Sequence, residues 1–449
     1  MSVSPSRATA FEILLRVEQE DAYASELLHS SRCAELSLAD RALATELVMG
    51  VLRWRSALDT SIARVSSQPL HKLDIEVLTA LRLGAYQLGW LDRIPKRAAI
   101  FESVELVKKV RKRSAAPFAN AVLRKLADST EFARESLPAA TDPDEIATAS
   151  SHPSWLVHRW ASHYGMETAR RICAYNQSIP VTTIRLRSPA AEQELRAEDV
   201  ELAPGNFLVD ARRVISGDVT KTKAYNAGQV AIQDEASQLV AALVGRGSRI
   251  LDCCAAPGGK TWEIADRNPA SSIVAVELHS HRAQLLRKRV LAANVEVIHA
   301  DIRDLPLNTP FDRVLVDAPC SGTGTLARNP EIKWRLKPED LHALHALQTD
   351  ILEAAMKQVA PGGTLIYSTC SLEPEENENV VGAAIRSLPS FRLQDVRGHL
   401  ESLLTKELLR VDDIASFVHR SYLRTIPGVH TCDGFFIAIL ERASEESLR

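Results

Sequence analysis

The chain has 449 residues, 45% hydrophobic and 25% charged, with a formal net charge of −3. That length implies about two to four domains, the composition is that of an ordinary globular protein, and the overall charge does not by itself mark a nucleic-acid binder. No stretch reaches the roughly 18 apolar residues that span a bilayer, and the opening "MSVSPSRATAFEILL" lacks the basic start and pure apolar core of a signal peptide.

A cytoplasmic location is therefore expected. The seven cysteines, Cys33, Cys173, Cys253, Cys254, Cys320, Cys370 and Cys432, form no CxxC pair. In a reducing compartment they read as free thiols, some of them reactive.

Residues 1 to 140 carry a helical period. Phe11, Leu14 and Leu15 begin it, followed by Leu43, Leu47 and Val51, then Val77, Leu78 and Leu81. Ile100, Val104 and Val107 continue it, and Phe118, Val122 and Leu126 end it. Pro5, Pro69, Pro95 and Pro117 fall between the runs and mark helix starts and stops. A compact bundle of about five or six helices is expected. Its charge is uneven: Arg93 to Lys125 holds ten Lys/Arg against two Glu, a net of +8, whereas Met1 to Asp92 holds nine basic against twelve acidic, a net of −3. The basic stretch suits a phosphate-facing patch; the plainer alternative is a solvated helix face.

Ser136 to Ser151 is polar with Pro and Ala, and reads as a linker. "SWLVHRWASHYG" then starts a helix with Trp155, Leu156 and Trp160 near one face, and "VTTIRLRS" alternates as a strand with Arg185 and Arg187 on one side. That pair suits either a phosphate or an ordinary solvent-facing side. A small α/β module is expected over 150–227.

From about Gly228 strands and helices alternate. The strands are "SRILD", "SSIVAVE", "VEVIHAD", "DRVLVDAP" and "GGTLIYSTC", with "TWEIADR", "RAQLLRKRVLAA" and "LHALHALQTDILEAAMKQVA" as helices between them. Such alternation implies a parallel, doubly wound sheet covered on both faces. "SFVHRSYLRTI" and "DGFFIAILE" read as a closing pair of strands with no helix between them.

Ligands of such sheets bind beyond the carboxyl ends of the strands. The loop Cys254, Ala255, Ala256, Pro257, Gly258, Gly259 and Lys260 follows the first strand. It nearly matches a phosphate-binding loop, but Cys254 stands where the first glycine belongs, and no G-x-G-x-x-G is present. Acids close the next strands instead. Glu277, eighteen residues after Gly259, suits the two ribose hydroxyls. Asp301 suits an adenine amino group, and Asp317 the charged end of the ligand. Three acids in succession suit a cationic, adenosine-bearing cofactor, and S-adenosylmethionine, with a positive sulfonium and no phosphate, fits that description. Any one of them alone can be a helix N-cap. His342 and His345 share a helix face but lack a partner at metal spacing, so no metal is expected.

At these same residues the chain resembles a known family. "LDCCAAPGGKT", "VDAPCSGTG", "IKW", "YSTCSLEPEENE" and "DGFFIA" are similar to the motifs of Sun-type RNA cytosine-5 methyltransferases, and they cover about Val230 to Leu440. The N-terminal helices resemble the NusB-like RNA-binding domain of the bacterial rRNA members, and "SWLVHRW…TIRLRS" resembles the small domain before their catalytic core. The resemblance implies an α/β, Rossmann-like S-adenosylmethionine methyltransferase core at 228–449, a small α/β RNA-binding domain at 150–227, and an all-α NusB-like domain at 1–140. The implied substrate is small-subunit rRNA, handled by a monomer without metal or membrane. Glu277 departs from the Asp that many relatives have there.

Cytosine C5 is a poor nucleophile until a thiolate adds at C6 and makes C5 enamine-like. The site then needs a nucleophilic Cys, a group that stabilises the base at N3 or its amino group, and help with elimination. Asp317 suits the second task, and Lys260 is expected to position groups near the base. The resemblance implies that Cys370, in Thr-Cys, attacks, and that Cys320, in Pro-Cys, aids product release. Pro-Cys is also similar to the nucleophile motif of DNA cytosine methyltransferases, so a DNA enzyme using Cys320 is one rival reading. Another RNA, tRNA or large-subunit rRNA, is a second, and a non-catalytic RNA-binding factor a third. Cys253 and Cys432 read as packing residues. The target base must be flipped or single-stranded, and Arg328, Lys333 and Arg335 are placed to hold RNA backbone beside the Cys320 loop.

Overall fold

The computed structural model describes residues 3–129, 132, 137–305 and 309–444. Its packing defines two units: Met1–Ile179 with Leu326–Arg335, and Pro180–Thr325 with Leu336–Arg449. This grouping differs from the three consecutive segments of the sequence reading. The helices Ser154–Tyr164 and Met166–Gln177 pack within the first unit.

The first unit is helical. Its longer helices are Pro5–Gln19, Leu38–Arg53, Arg55–Val65, Ile75–Trp90, Lys96–Lys109 and Ala116–Asp128. Pro5 and Pro117 stand in first turns, where a missing N–H costs nothing, and Pro95 directly precedes a helix. Pro69 leads only into a short 3-10 turn. The expected linker contains a further helix, Pro143–Ser150, because the Asp142 carboxylate accepts from the Glu145 N–H and caps it; Ser136 lies outside the described residues. One apolar core holds Phe11, Leu47, Val51, Leu81 and Val122, all buried. Each such side chain contributes about 1.5–3 kcal/mol by leaving water.

Residues 326–335 belong to this unit, and their polar groups terminate its helices. The Lys333 ammonium donates to the carbonyls of Arg53 and Ser151, each at 2.9 Å, and the Trp334 indole donates to Leu52 O at 2.6 Å. The Arg335 guanidinium donates to Val17 O, Asp21 O and Ala22 O. The carbonyls of Val17, Leu52 and Arg53 lie in the last turns of their helices and that of Ser151 directly follows one, where no intrahelical partner is available and donors are welcome, while those of Asp21 and Ala22 lie in the turn between the helices Pro5–Gln19 and Ala24–Leu28. Lys333 and Arg335 are thus not free to hold RNA, and Lys333 is 1% exposed. Their basic side chains look the same in sequence whether they meet phosphate or a helix end.

The second unit holds two sheets. The smaller is antiparallel, in the order β2–β3–β1–β4 (Glu201–Pro204, Ala211–Ser216, Thr183–Leu186 and Val230–Ile232). Arg185 and Arg187 lie here, and only Arg187 is exposed to solvent. Arg185 is buried, pairs with Asp266 at 2.8 Å, and lies over the Trp262 ring. Arg187 pairs with the same carboxylate at 2.5 Å and shares that ring. A carboxylate and an aromatic face on the helix Gly259–Arg267 supply what solvent would.

Among the described residues the larger sheet has nine strands. Five are parallel, in the order β9–β8–β5–β6–β7: Val359–Thr369, Phe311–Asp317, Arg249–Asp252, Ser272–Glu277 and Val295–His299. The expected closing pair is present, as antiparallel β12 (Tyr422–Thr425) and β13 (Phe435–Arg442), with β13 pairing β9. Two short strands add to it, β10 (Phe391–Leu393) against β13 and β11 (Val418–His419) against β12. Alternate residues enter two cores. Leu315, Ile366 and Ile437 face one, while Val314, Val316, Leu365 and Phe436 face the other. This is the both-sides burial that a doubly wound sheet requires. The chain runs from β5 through β6 to β7, then crosses to place β8 on the other flank of β5. The crevice at that reversal, between the ends of β5 and β8, is where such sheets bind ligands.

Burial pushes the Lys333 ammonium down to about 7, far below its unfolded value of 10.5. Between those values the unfolded chain binds the extra proton, so the stability of the helical unit should rise as pH goes from about 7 to 10. Lys333→Met should remove that rise. Urea denaturation of both proteins across the range checks it.

Candidate active site

β8 and β9 run parallel with Asp317 opposite Ser368. Ala318 N donates to Ser368 O, and Gly324 N to Cys370 O, each at 2.9 Å, so the two chains stay laced beyond the strands. That lacing brings Cys320 and Cys370 together with their sulfurs 3.2 Å apart, both unoxidised. Gly324 also passes backbone to backbone with Gly434, whose N–H donates to Gly324 O at 2.8 Å. A Cβ on Gly324 would stand 2.1 Å from Gly434 O, so the glycines of "CSGTG" and "DGFF" form one close crossing.

Lys260 and Asp317 meet beside the thiols. Lys260 Nζ lies 2.7 Å from Asp317 Oδ2, Ser368 donates to Asp317 Oδ1 at 2.9 Å, and the ammonium sits over the Phe435 ring. Burial works against the Lys260 charge, but Asp317, with Cys370 and Asp252 nearby, outweighs it and raises the pKa. The Cys320 thiol is held well above its ordinary range by its hydrogen bond to Cys370, by burial, and by the charges of Cys370 and Glu376. Burial likewise raises Cys254, and fully buried Cys253 and Cys432 are shut away among apolar residues. Such thiols are poor nucleophiles.

The loop after β5 turns back through the crevice. Ala255 N donates to Val276 O at 3.0 Å, and Ala256 N to the Glu277 carboxylate at 3.3 Å. Gly258, at φ +107°, then begins the helix that carries Lys260. A Cβ there would press on Leu286 and Val290 at 2.8 and 2.9 Å. Glu277 is buried, and its other oxygen accepts from His279 N at 2.9 Å. The structure thus joins Cys254 to Lys260 with Glu277 on one side and Asp317 on the other. Asp301 follows β7, which ends at His299, and its carboxylate is gripped by the Arg303 guanidinium at 2.6 Å. That pair lowers the Asp301 pKa, and an adenine amino group would share the carboxylate with Arg303.

Sequence reasoning misses three residues here. Asp252 ends β5 just as Glu277 ends β6, so the same signal was available. It is 1% exposed, its Oδ1 has no partner among the described residues, and burial pushes its carboxyl up to about 7 against the Thr261 hydrogen bond. Ser368 and Glu376 carry no such signal, because their contacts come from tertiary pairing.

S-adenosylmethionine fits these groups. Carboxylates suit ribose hydroxyls and a sulfonium, and the loop's cation, Lys260, is taken up by Asp317. A crevice of this chemistry in a doubly wound sheet defines the Rossmann-like methyltransferases. Comparison with known proteins narrows the class. The profile of the "16S rRNA methyltransferase RsmB/F" family matches residues 242–441, and that of the NusB family matches 4–128. A Bacillus subtilis protein, probable ribosomal RNA small subunit methyltransferase B, is 36% identical over 98% of this chain and 100% of its own. Among solved structures, PH0851 superposes with a TM-score of 0.80 at 23% identity, over 98% of this chain and 100% of that one. A methyltransferase homolog protein from Pyrococcus horikoshii reaches 0.55 at 25% identity, over 66% and 97%. The chain belongs to the RsmB/F family of 16S rRNA methyltransferases, with a NusB-family region at its N-terminus, and its cofactor is S-adenosylmethionine.

Glu277→Ala should weaken S-adenosylmethionine binding by about 1–3 kcal/mol, the cost of leaving ribose hydroxyls unpaired. Calorimetric titration of the cofactor measures it, and unchanged affinity would remove Glu277 from the site.

Proposed function

We propose that this protein methylates C5 of a cytosine in small-subunit (16S) rRNA through a covalent bond from Cys370 to C6. The observation that carries the reading is the pair of free sulfurs 3.2 Å apart beside the Lys260–Asp317 pair. Bound S-adenosylmethionine supplies a methyl group on a sulfonium, which the activated C5 accepts. Cys370 adds to C6 as a thiolate, and the electron pair of the C5–C6 bond becomes available at C5. The Lys260 ammonium acts on Cys370 electrostatically and complements a thiolate there. Asp317, held by Lys260 and Ser368, faces N3 or the amino group of the base and stabilises the adduct. A base takes the C5 proton, the C–H electron pair re-forms the C5–C6 double bond, and Cys370 leaves C6 as the thiolate. Cys320 assists that release. The loop from Cys254 to Lys260, with Glu277 and Asp301, holds the cofactor.

The domain roles follow the same reading. Residues 1–140 dock RNA, 150–227 assist, and 228–449 catalyse, in a cytoplasmic monomer. Lys108, Lys109, Arg111 and Arg113 are exposed at the end of the helix Lys96–Lys109. Lys108 pairs with Glu105 and Lys112 with Asp74, so part of the charge is already met within the chain.

Two outcomes are expected. Neutralising Lys108, Lys109, Arg111, Lys112 and Arg113 should weaken RNA binding and flatten its salt dependence while cofactor affinity stays unchanged; an unchanged salt slope in filter binding would make this face plain solvated surface. The thiols should separate on denaturing gels with labelled RNA and cofactor. Cys370→Ala should give neither product nor adduct, and Cys320→Ala should accumulate an adduct at Cys370. An adduct in Cys370→Ala only would reverse the roles and favour the DNA-type mechanism. Methylation intact in both would end the thiol reading.

A further inference from the structure

Glu376 is fully buried, and a buried carboxylate persists only when its oxygens are satisfied. Four donors do so. Ser321 N (2.7 Å) and Gln348 Nε2 (2.9 Å) donate to Oε1, and the hydroxyls of Ser321 and Ser371 donate to Oε2. Ser321 follows Cys320, and Ser371 follows Cys370. One side chain therefore grips the residue after each cysteine. Gln348 extends the grip by donating to Pro319 O, directly before Cys320, at 2.9 Å.

The rest of the turn is fixed to match. The Tyr367 hydroxyl donates to Glu376 O at 2.7 Å, and Asn377 Nδ2 donates to Ser371 O at 2.9 Å. Thr323 Oγ1 accepts from Leu372 N at 2.9 Å, tying the two loops a second time.

We propose that Glu376 is a positioning residue that sets the two cysteines against each other and directs attack to Cys370 rather than Cys320. Two thiols 3.2 Å apart are otherwise near-equivalent nucleophiles for one C6. The bonds through both serines fix their separation. The hydrogen bond with Cys370, burial and the Cys370 charge raise the Cys320 thiol, and the carboxylate's charge adds to them in the same direction. The titratable groups acting on Cys320 are Cys370, Glu376 and, from β9, Tyr367. The inference rests on the reading of Cys370 as nucleophile.

The test is Glu376→Gln in the full chain, which keeps the size and removes the charge. Turnover on rRNA should fall about a hundredfold, the scale of an ångström of misplacement, with KM for RNA and S-adenosylmethionine affinity unchanged. Without RNA, the pH midpoint for iodoacetamide alkylation of Cys320, read by mass spectrometry, should move down by about one unit. Ser321→Ala, which removes one hydroxyl, should move both readouts the same way by less, and stands in if the first variant does not fold. Wild-type turnover with an unmoved Cys320 profile overturns the proposal. So does loss of turnover together with cofactor affinity, which marks a general folding role. The alkylation readout involves no RNA adduct, so it fails independently of the Cys370 assignment.

Discussion

The register of β8 against β9 is the constraint on which the site depends. Asp317 opposite Ser368 places two chains in step at the carboxyl edge of the sheet, and three residues later one of them delivers Cys320. A slip of one residue would turn each side chain of a strand to the other face. Val314 and Val316 would then trade cores with Leu315, all three fully buried. The same slip would part the thiols. The apolar alternation that holds the sheet together therefore also holds the chemistry in place.

The site gathers charges that burial disfavours and makes them satisfy one another. Lys260 stays charged because Asp317 faces it, and Asp317 is oriented by Ser368. Asp252 has no cationic partner in contact among the described residues, and burial pushes it towards its neutral form. Electrostatic work of this kind is strongest where water is scarce.

The helical unit shows the same economy in a different setting. Lys333 and Arg335 lie in a segment that leaves the second unit after Thr325 and rejoins it at Leu336. Between those points it supplies donors to helix ends formed hundreds of residues earlier. The loop that carries Cys320 is thus continuous with part of the helical unit's framework.

Much of this was legible in the sequence. The helical period from Phe11 to Leu126, the five parallel strands and the closing pair rest on local patterns of burial, which a periodic sequence states directly. The places of the loop from Cys254 to Lys260 and of Glu277 and Asp317 at strand ends were legible because the strand periodicity stops there. Three things were not. Arg185 and Arg187 alternate as on an open face, but Asp266 and Trp262 come to them from another element. Lys333 reads as an exposed cation until Arg53 and Ser151 turn their carbonyls to it. Glu376 is one acid among several in "SLEPEENE", and only the pairing of β8 with β9 sets Ser321 and Ser371 around it. Sequence by itself determined which elements form and where the loops between them fall, since those follow from neighbours along the chain. Tertiary structure decided which charged groups meet solvent and which meet each other, because a side chain's partners are set by distance in space.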